Sequence, residues 1–258
     1  MNTAMRADAT QMLSKVPEIT LYFWIIKIMG TTVGETAADF LSGTLNLGLT
    51  TTSLIMAGLL AAALLSQFRT SRYVPWIYWL SVVLISVVGT LITDNLVDNL
   101  GVSLVTTTTL FSLALLATFV AWYALEGTLS IHSIFTARRE GFYWAAILFT
   151  FALGTAAGDL TAERLGLGYA NSALIFGALI AGVTFTYYAF RLNAVLAFWI
   201  AYILTRPFGA SCGDLLAQPI GNGGLCWGSA GTSAVFLATI LSLVLYLTVT
   251  RKDAPARR

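Results

Sequence analysis

Eight runs of mostly apolar residues, each close to the roughly 20 needed to cross a bilayer, follow one another along the 258 residues with short connections between them. They fall at about 17–39, 47–68, 75–98, 102–125, 140–163, 169–190, 194–216 and 228–250. The chain is 57% hydrophobic and 10% charged, whereas an ordinary soluble domain is about 25% charged. An aqueous core cannot hide so much apolar surface. The expectation is therefore an all-α membrane protein of eight transmembrane helices, with 1–258 as a single transmembrane domain. Pro17 and Pro75 open their runs, where a helix accepts proline. No apolar h-region accompanies Arg6, Asp8 and Lys15, so no cleavable signal peptide is expected.

Lysine and arginine set the expected orientation. Arg6 and Lys15 precede the first run, and Arg69, Arg72, Arg138, Arg139, Arg191, Arg251, Lys252, Arg257 and Arg258 follow the even-numbered ones. The opposite connections hold only Arg164. Both termini are expected in the cytoplasm, with the protein in a bacterial inner membrane. Cys212 and Cys226 form no disulfide framework, and a bridge needs both at the outer face. His132, the single histidine, falls in a cytoplasmic loop and reads as a solvated residue rather than a metal ligand.

Four segments repeat one pattern: GTTVGETAAD at 30–39, GTLITDNLVD at 89–98, GTAAGDLTAE at 154–163 and GASCGDLLAQ at 209–218. A first acidic column holds Glu35, Asp94, Asp159 and Asp214, and a second, four residues on, holds Asp39, Asp98, Glu163 and Gln218. The position three before each glycine holds Lys27, Ser86, Phe151 and Arg206. Each motif is followed by a glycine-containing turn and a run that opens with hydroxyls or amides. The unit is two helices, repeated at about 15–70, 71–130, 136–191 and 192–250. Units that each cross the membrane twice all point the same way, unlike inverted repeats. Trp79, Trp144 and Trp199 stand ten residues before their glycines, which reads as an interfacial aromatic belt. Trp24 breaks the register.

With these motifs in view, and with the opening KVPEITLYFWIIKIMGTTVGETAADF above all, the chain resembles a bacterial family of uncharacterised integral membrane proteins. That family is built from four tandem two-span repeats with a characteristic tryptophan. The resemblance spans about 15–250 and implies the fold and the repeat number. It implies no activity, so the functional reading rests on the residues.

A helix rises about 1.5 Å per residue, so the first acid lies about 7 Å beyond its glycine and the second about 6 Å further. Residues four apart share a helix face. A lone charge deep in lipid costs at least about 2.5 kcal/mol, so the acidic stripes are expected to face the bundle interior around a polar axis. Seven acids face only two cations at that depth, Lys27 and Arg206. Oxygen-rich clusters suit hard divalent ions, and crowded carboxylates also hold protons readily. The expected function is a secondary transporter, an exporter of a divalent cation such as Mn or Mg in exchange for protons. Glu35, Asp94, Asp159 and Asp214 would bind the metal and Asp39, Asp98 and Glu163 would line the path. Lys27 and Arg206 would tune the charge. Thr31, Thr32, Thr90 and Thr155 offer neutral oxygens.

Other readings stay open. The outer acids suit solvated helix ends, and Lys27–Glu35 and Arg206–Asp214 pairs could neutralise one another. Gly30/Gly34 and Gly154/Gly158 suit close helix packing. Pro207 marks RPFGASCGD as a hinge and span seven as a broken helix, with Cys212 a packing residue or a soft ligand. At the level of function the alternatives are a pseudo-fourfold cation channel, a non-transporting scaffold or sensor, and a carrier of small organic cations. No nucleophile elbow, phosphate loop or histidine cluster supports an enzyme or a resident cofactor. Expected partners are the lipid bilayer, the cation and protons, with no nucleic acid.

Overall fold

The computed structural model describes residues 14–254, and among them are eight long helices and no strand. The helices are α1 (Leu21–Asp39), α2 (Leu49–Arg69), α3 (Pro75–Asp94), α4 (Leu104–Glu126), α5 (Ala137–Asp159), α6 (Gly168–Phe190), α7 (Ala194–Ala217) and α8 (Ser229–Thr250). Arg6, Asp8, Arg257 and Arg258 lie outside the described residues. Side chains of Thr20, Ser103, Thr136 and Asn193 accept first-turn N–H groups of α1, α4, α5 and α7. They satisfy donors that have no partner within a helix. Among the described residues, seven helices are long and apolar enough to cross a membrane. The exception is α1, which carries Lys27, Glu35 and Asp39 within its 19 residues.

The odd helices form a closed inner ring in the order α1, α3, α5, α7 and back to α1. Each even helix lies outside, packed mainly on the inner helix of the next repeat: α2 on α3, α4 on α5, α6 on α7, and α8 on α1. In their most apolar stretches α3, α5 and α7 are 56–72% buried, against 11–28% for α2, α4, α6 and α8. The hydroxyls and amides near the starts of the outer helices staple the two layers together. Ser233 bonds Thr36 at 2.7 Å, Asn95 donates to Ser53 at 2.8 Å, and Ser172 bonds Thr161 at 2.7 Å.

Small residues bring the inner helices close. A Cβ added to Gly89 would lie 2.7 Å from Phe151 Cβ, one on Gly154 would lie 2.2 Å from Arg206 Cγ, and one on Gly209 would lie 1.7 Å from Thr31 Oγ1. Gly34 is equally tight against Ser86, whereas Gly30 has only Val83 at 3.8 Å. This packing corrects the hinge. Helix α7 runs unbroken from Ala194 to Ala217 with Pro207 inside it. The proline ring is wedged over Gly154 of α5, where an added Cβ would meet its Cδ at 3.0 Å. The irregular turns lie elsewhere: α1, α3 and α5 pass into π-helical turns at Phe40–Thr44, Asn95–Asn99 and Leu160–Arg164.

The aromatic belt is also corrected. Trp79, Trp144 and Trp199 are 2–3% exposed and lie inside the bundle, not on its periphery. Trp199 packs between the ring and Phe119 and Trp122 of α4 and donates its indole N–H to the Leu129 carbonyl at 2.9 Å. With Phe23, Tyr78, Tyr143, Phe198 and Tyr202 the three tryptophans fill the end of the ring where the inner helices start. Tyr78 and Tyr143 share a hydroxyl–hydroxyl bond of 2.5 Å there. Trp76, 55% exposed, is the tryptophan that faces outward at this end. Cys212 and Cys226 are both free thiols. Three cations used to set the orientation are tied up: Lys15 pairs with buried Glu140 at 2.7 Å, and Arg138 and Arg139 both pair with Glu126, Arg139 at 2.6 Å. Exposed His132 lies 3.3 Å from Glu18.

The close approach at Gly154 yields a measurable expectation. Gly154→Ala should cost about 1–3 kcal/mol through overpacking and lower the thermal unfolding midpoint in detergent. Gly58→Ala, on α2 with nothing within 4 Å of the added carbon, should leave the midpoint unchanged or raise it.

Candidate functional site

The centre of the ring is polar, and its groups are stacked along the axis. Next to the aromatic end lies Lys27, fully buried, its Nζ 4.5 Å from the Phe151 ring centroid and 4.3 Å from that of Tyr202. The ammonium makes no hydrogen bond among the described residues. It has two aromatic faces, which attract a cation, but no carboxylate.

Arg206 forms the next layer and is also fully buried. Its Nη1 donates to the Thr31 carbonyl at 3.0 Å. Its Nη2 donates to Glu35 Oε2 at 3.0 Å, to Thr155 Oγ1 at 2.6 Å and to Thr90 Oγ1. Arginine from the fourth repeat thus reaches two residues of the first repeat, Thr31 and Glu35, and one each of the second and third. The partners Thr31, Thr90 and Thr155 occupy the same place in the repeat, directly after the motif glycine, and the fourth repeat has Ala210 there. Alanine replaces threonine in the one repeat that supplies the guanidinium instead.

Beyond Arg206 the axis opens into a cavity of about 380 Å³ lined by Glu35, Asp39, Asp94, Asp98, Asp159, Glu163 and Asp214, together with Gln218. Glu35 and Asp214 are buried, Asp39, Asp94 and Asp159 half-buried, and Asp98 and Glu163 exposed. Burial falls from the first column toward the second, except that Asp39 is half-buried like Asp94 and Asp159. Glu35, Asp159 and Asp214 each offer a carboxylate oxygen, and these three lie within 4.8 Å of one another. Asp94 lines the same cavity without joining the triad, so three of the four expected metal ligands converge. In the outer column, Glu163 accepts from the Tyr169 hydroxyl at 3.1 Å.

The structure thus brings all seven candidate acids to one cavity and pairs the two cations differently from the simplest neutralisation scheme. Arg206 bonds Glu35 rather than Asp214, and Lys27 bonds neither. The threonines at 90 and 155 serve the guanidinium rather than standing free as ligands. The signal that could have exposed this is the column Thr31, Thr90, Thr155, Ala210 read beside the column Lys27, Ser86, Phe151, Arg206. The buried Lys15–Glu140 pair, extended by Gln67 Nε2 at 3.1 Å from Glu140, had no such pattern to reveal it.

Comparison with known families finds four matches to a family described as Repeat of Unknown Function (DUF347), over residues 22–73, 77–128, 142–193 and 197–253. Each matched segment contains one inner and one outer helix. No curated protein and no solved structure matches the chain.

The Arg206–Glu35 pair can be tested by a mutant cycle. Arg206→Met leaves a buried carboxylate without its base and should cost about 3 kcal/mol, at the low end for a broken buried pair because Glu35 borders the cavity. Adding Glu35→Gln should recover much of that loss. Thermal unfolding of the two single variants and the double variant measures the coupling directly.

Proposed function

We propose a cation-transport function for this chain, which belongs to the DUF347 repeat family and carries its polar groups where the four repeats meet. The observation behind the reading is the floor of the cavity, where Glu35, Asp159 and Asp214 from three repeats bring carboxylate oxygens within 4.8 Å of one another. Such an oxygen-only, acid-rich set matches a hard divalent cation such as Mg or Mn. Asp39, Asp94, Asp98 and Glu163 line the approach and concentrate cations ahead of the floor.

Two features favour a carrier of small inorganic ions over the alternatives. Among the described residues no aromatic lines the cavity, whereas recognition of organic cations draws on aromatic faces. The rings of this protein cluster at the other end of the axis, against Lys27. A conducting pore, in turn, needs a continuous route. Here Arg206, Lys27 and the buried tryptophans occupy the axis below the carboxylates, so an ion in the cavity would pass only after these groups rearrange. Arg206 holds Glu35 until a cation competes for it, and the fully buried Lys27 side chain stands behind it on the axis. The carboxylates can hold either the metal or protons, which supports exchange of one for the other.

In this reading all eight helices cross a bacterial inner membrane as four parallel pairs around the polar axis, α1 included, with its charges turned inward. The lysine and arginine distribution supports cytoplasmic termini and a cavity open to the outside. The proposed direction is export of the metal, with protons from the outer side displacing it from the carboxylates.

The test is flux of Mg and Mn, measured separately, in proteoliposomes with an imposed pH gradient. Wild type should move at least one of them with counterflow of protons. Asp159→Asn removes one of three clustered charges and should slow that flux about tenfold or more, because ligand charge count sets affinity for such ions. Equal rates for both proteins with every ion would reject transport through this site and leave the scaffold or sensor reading.

A further inference from the structure

A second cleft, separate from the acidic cavity, opens at the other end of the bundle between the start of α3 and the end of α8. Its volume is about 290 Å³, and its lining includes Arg72, Trp76, Arg251 and Asp253. Arg72 and Arg251 are exposed, and neither forms an ion pair among the described residues. Trp76 stands outward at 55% exposure, in contrast to the buried ring tryptophans. An amphipathic indole at a helix start is the usual anchor at the level of lipid headgroups.

Asp253 differs from its neighbours in being 1% exposed. Tyr73 donates its hydroxyl to Oδ2, and the Asp253 carbonyl accepts from Glu18 N at 3.0 Å, which fixes the segment against the bundle. The second carboxylate oxygen, Oδ1, is buried with no hydrogen-bond partner among the described residues. Burial pushes this carboxyl above the ordinary aspartate range, while the Tyr73 bond works the other way. A buried carboxylate oxygen without a donor is costly, and its residue lines a cleft that also presents two guanidinium groups without an ion pair among the described residues. A ligand that satisfies the whole lining must offer an anion to the arginines, an N–H donor to the aspartate and an apolar body that can lie along the outward faces of α3 and α8.

We propose that this cleft binds the headgroup of a phosphatidylethanolamine, with the phosphodiester on Arg72 and Arg251 and the primary ammonium on Asp253. Arginine suits a phosphate diester because its planar fork meets two oxygens at once. The ammonium requirement separates this lipid from its relatives. A trimethylated choline headgroup carries the same charge but has no N–H to donate, and a glycerol headgroup has no cation. The site is independent of the transport reading, because it shares no residue with the acidic cavity.

Native mass spectrometry of the full-length protein tests the assignment, with phosphatidylethanolamine, phosphatidylcholine and phosphatidylglycerol of identical acyl chains titrated in a neutral detergent. The ethanolamine lipid should bind about tenfold more tightly than the other two, the size expected for one charge-assisted hydrogen bond. Asp253→Asn should bring ethanolamine and choline lipids to equal affinity. Arg72→Gln, at an exposed position with no ion pair among the described residues, should weaken all three lipids while leaving the unfolding midpoint unchanged. Water-soluble glycerophosphoethanolamine should compete only at concentrations far above those of the lipid. Equal binding of the three lipids, a preference that survives Asp253→Asn, or competition by the soluble ester at the lipid's own concentration would each overturn the proposal.

Discussion

The core of the molecule depends on one guanidinium. Arg206 is fully buried in the ring and bonds Glu35, Thr90, Thr155 and the Thr31 carbonyl, one or more groups from each of the other three repeats. A charge taken so far from water is tolerated only when it is paired and hydrogen-bonded. Both terminal nitrogens of the guanidinium are met, by Glu35, the Thr90 and Thr155 hydroxyls and the Thr31 carbonyl, while Nε is buried with no partner among the described residues. The interlocked packing gives this tie its leverage. Each outer helix rests on the next repeat's inner helix, and α8 closes the circle on α1. No two-helix unit buries its own apolar face, so the ring and its central pair form together.

That same pair divides the axis into two unlike halves. On one side are seven carboxylates around about 380 Å³ of open space. On the other are Lys27 and a closed aromatic layer. Repeat symmetry alone would give a fourfold acidic ring. The observed arrangement draws Glu35, Asp159 and Asp214 together and leaves Asp94 outside the triad. A three-carboxylate cluster beside a guanidinium is a less symmetric arrangement than the repeats alone would give.

Several parts of this were legible in the sequence, and the reasons are physical. Acids four residues apart in an apolar helix have one affordable direction, inward, so the shared cavity followed from the cost of charge in lipid. The glycine frame gave the repeats because close helix packing leaves a periodic record. The misreadings share a cause: height along a helix is readable from residue number, but azimuth is not. Trp79 and Trp76 lie within one turn of each other near the start of α3, yet one fills the ring and the other faces outward. Pro207 frees a carbonyl wherever it stands, but whether α7 breaks is decided by Gly154 on a different helix. The partner of Arg206 depended likewise on which helices close the ring.

The column three residues before each glycine shows how repetition turns into specialisation. Its members are Lys27, Ser86, Phe151 and Arg206, two cations, a hydroxyl and a ring. The Phe151 ring lies 4.5 Å from the Lys27 nitrogen and 5.6 Å from the Arg206 guanidinium carbon, so one repeat supplies a face to the cations of two others. A desolvated cation–π contact provides about 2 kcal/mol, less than the several kcal/mol required to strip an ammonium of water. Arg206 makes up the difference with Glu35 and three oxygens. Lys27 has only its two rings. Lys27 is therefore the least satisfied charge in the ring, and it lies on the same helix as Glu35, the carboxylate that Arg206 already holds. Glu35 thus answers one of the two cations only, and a ring that loosened Arg206 from Glu35 would change the electrostatic environment of Lys27 at the same time.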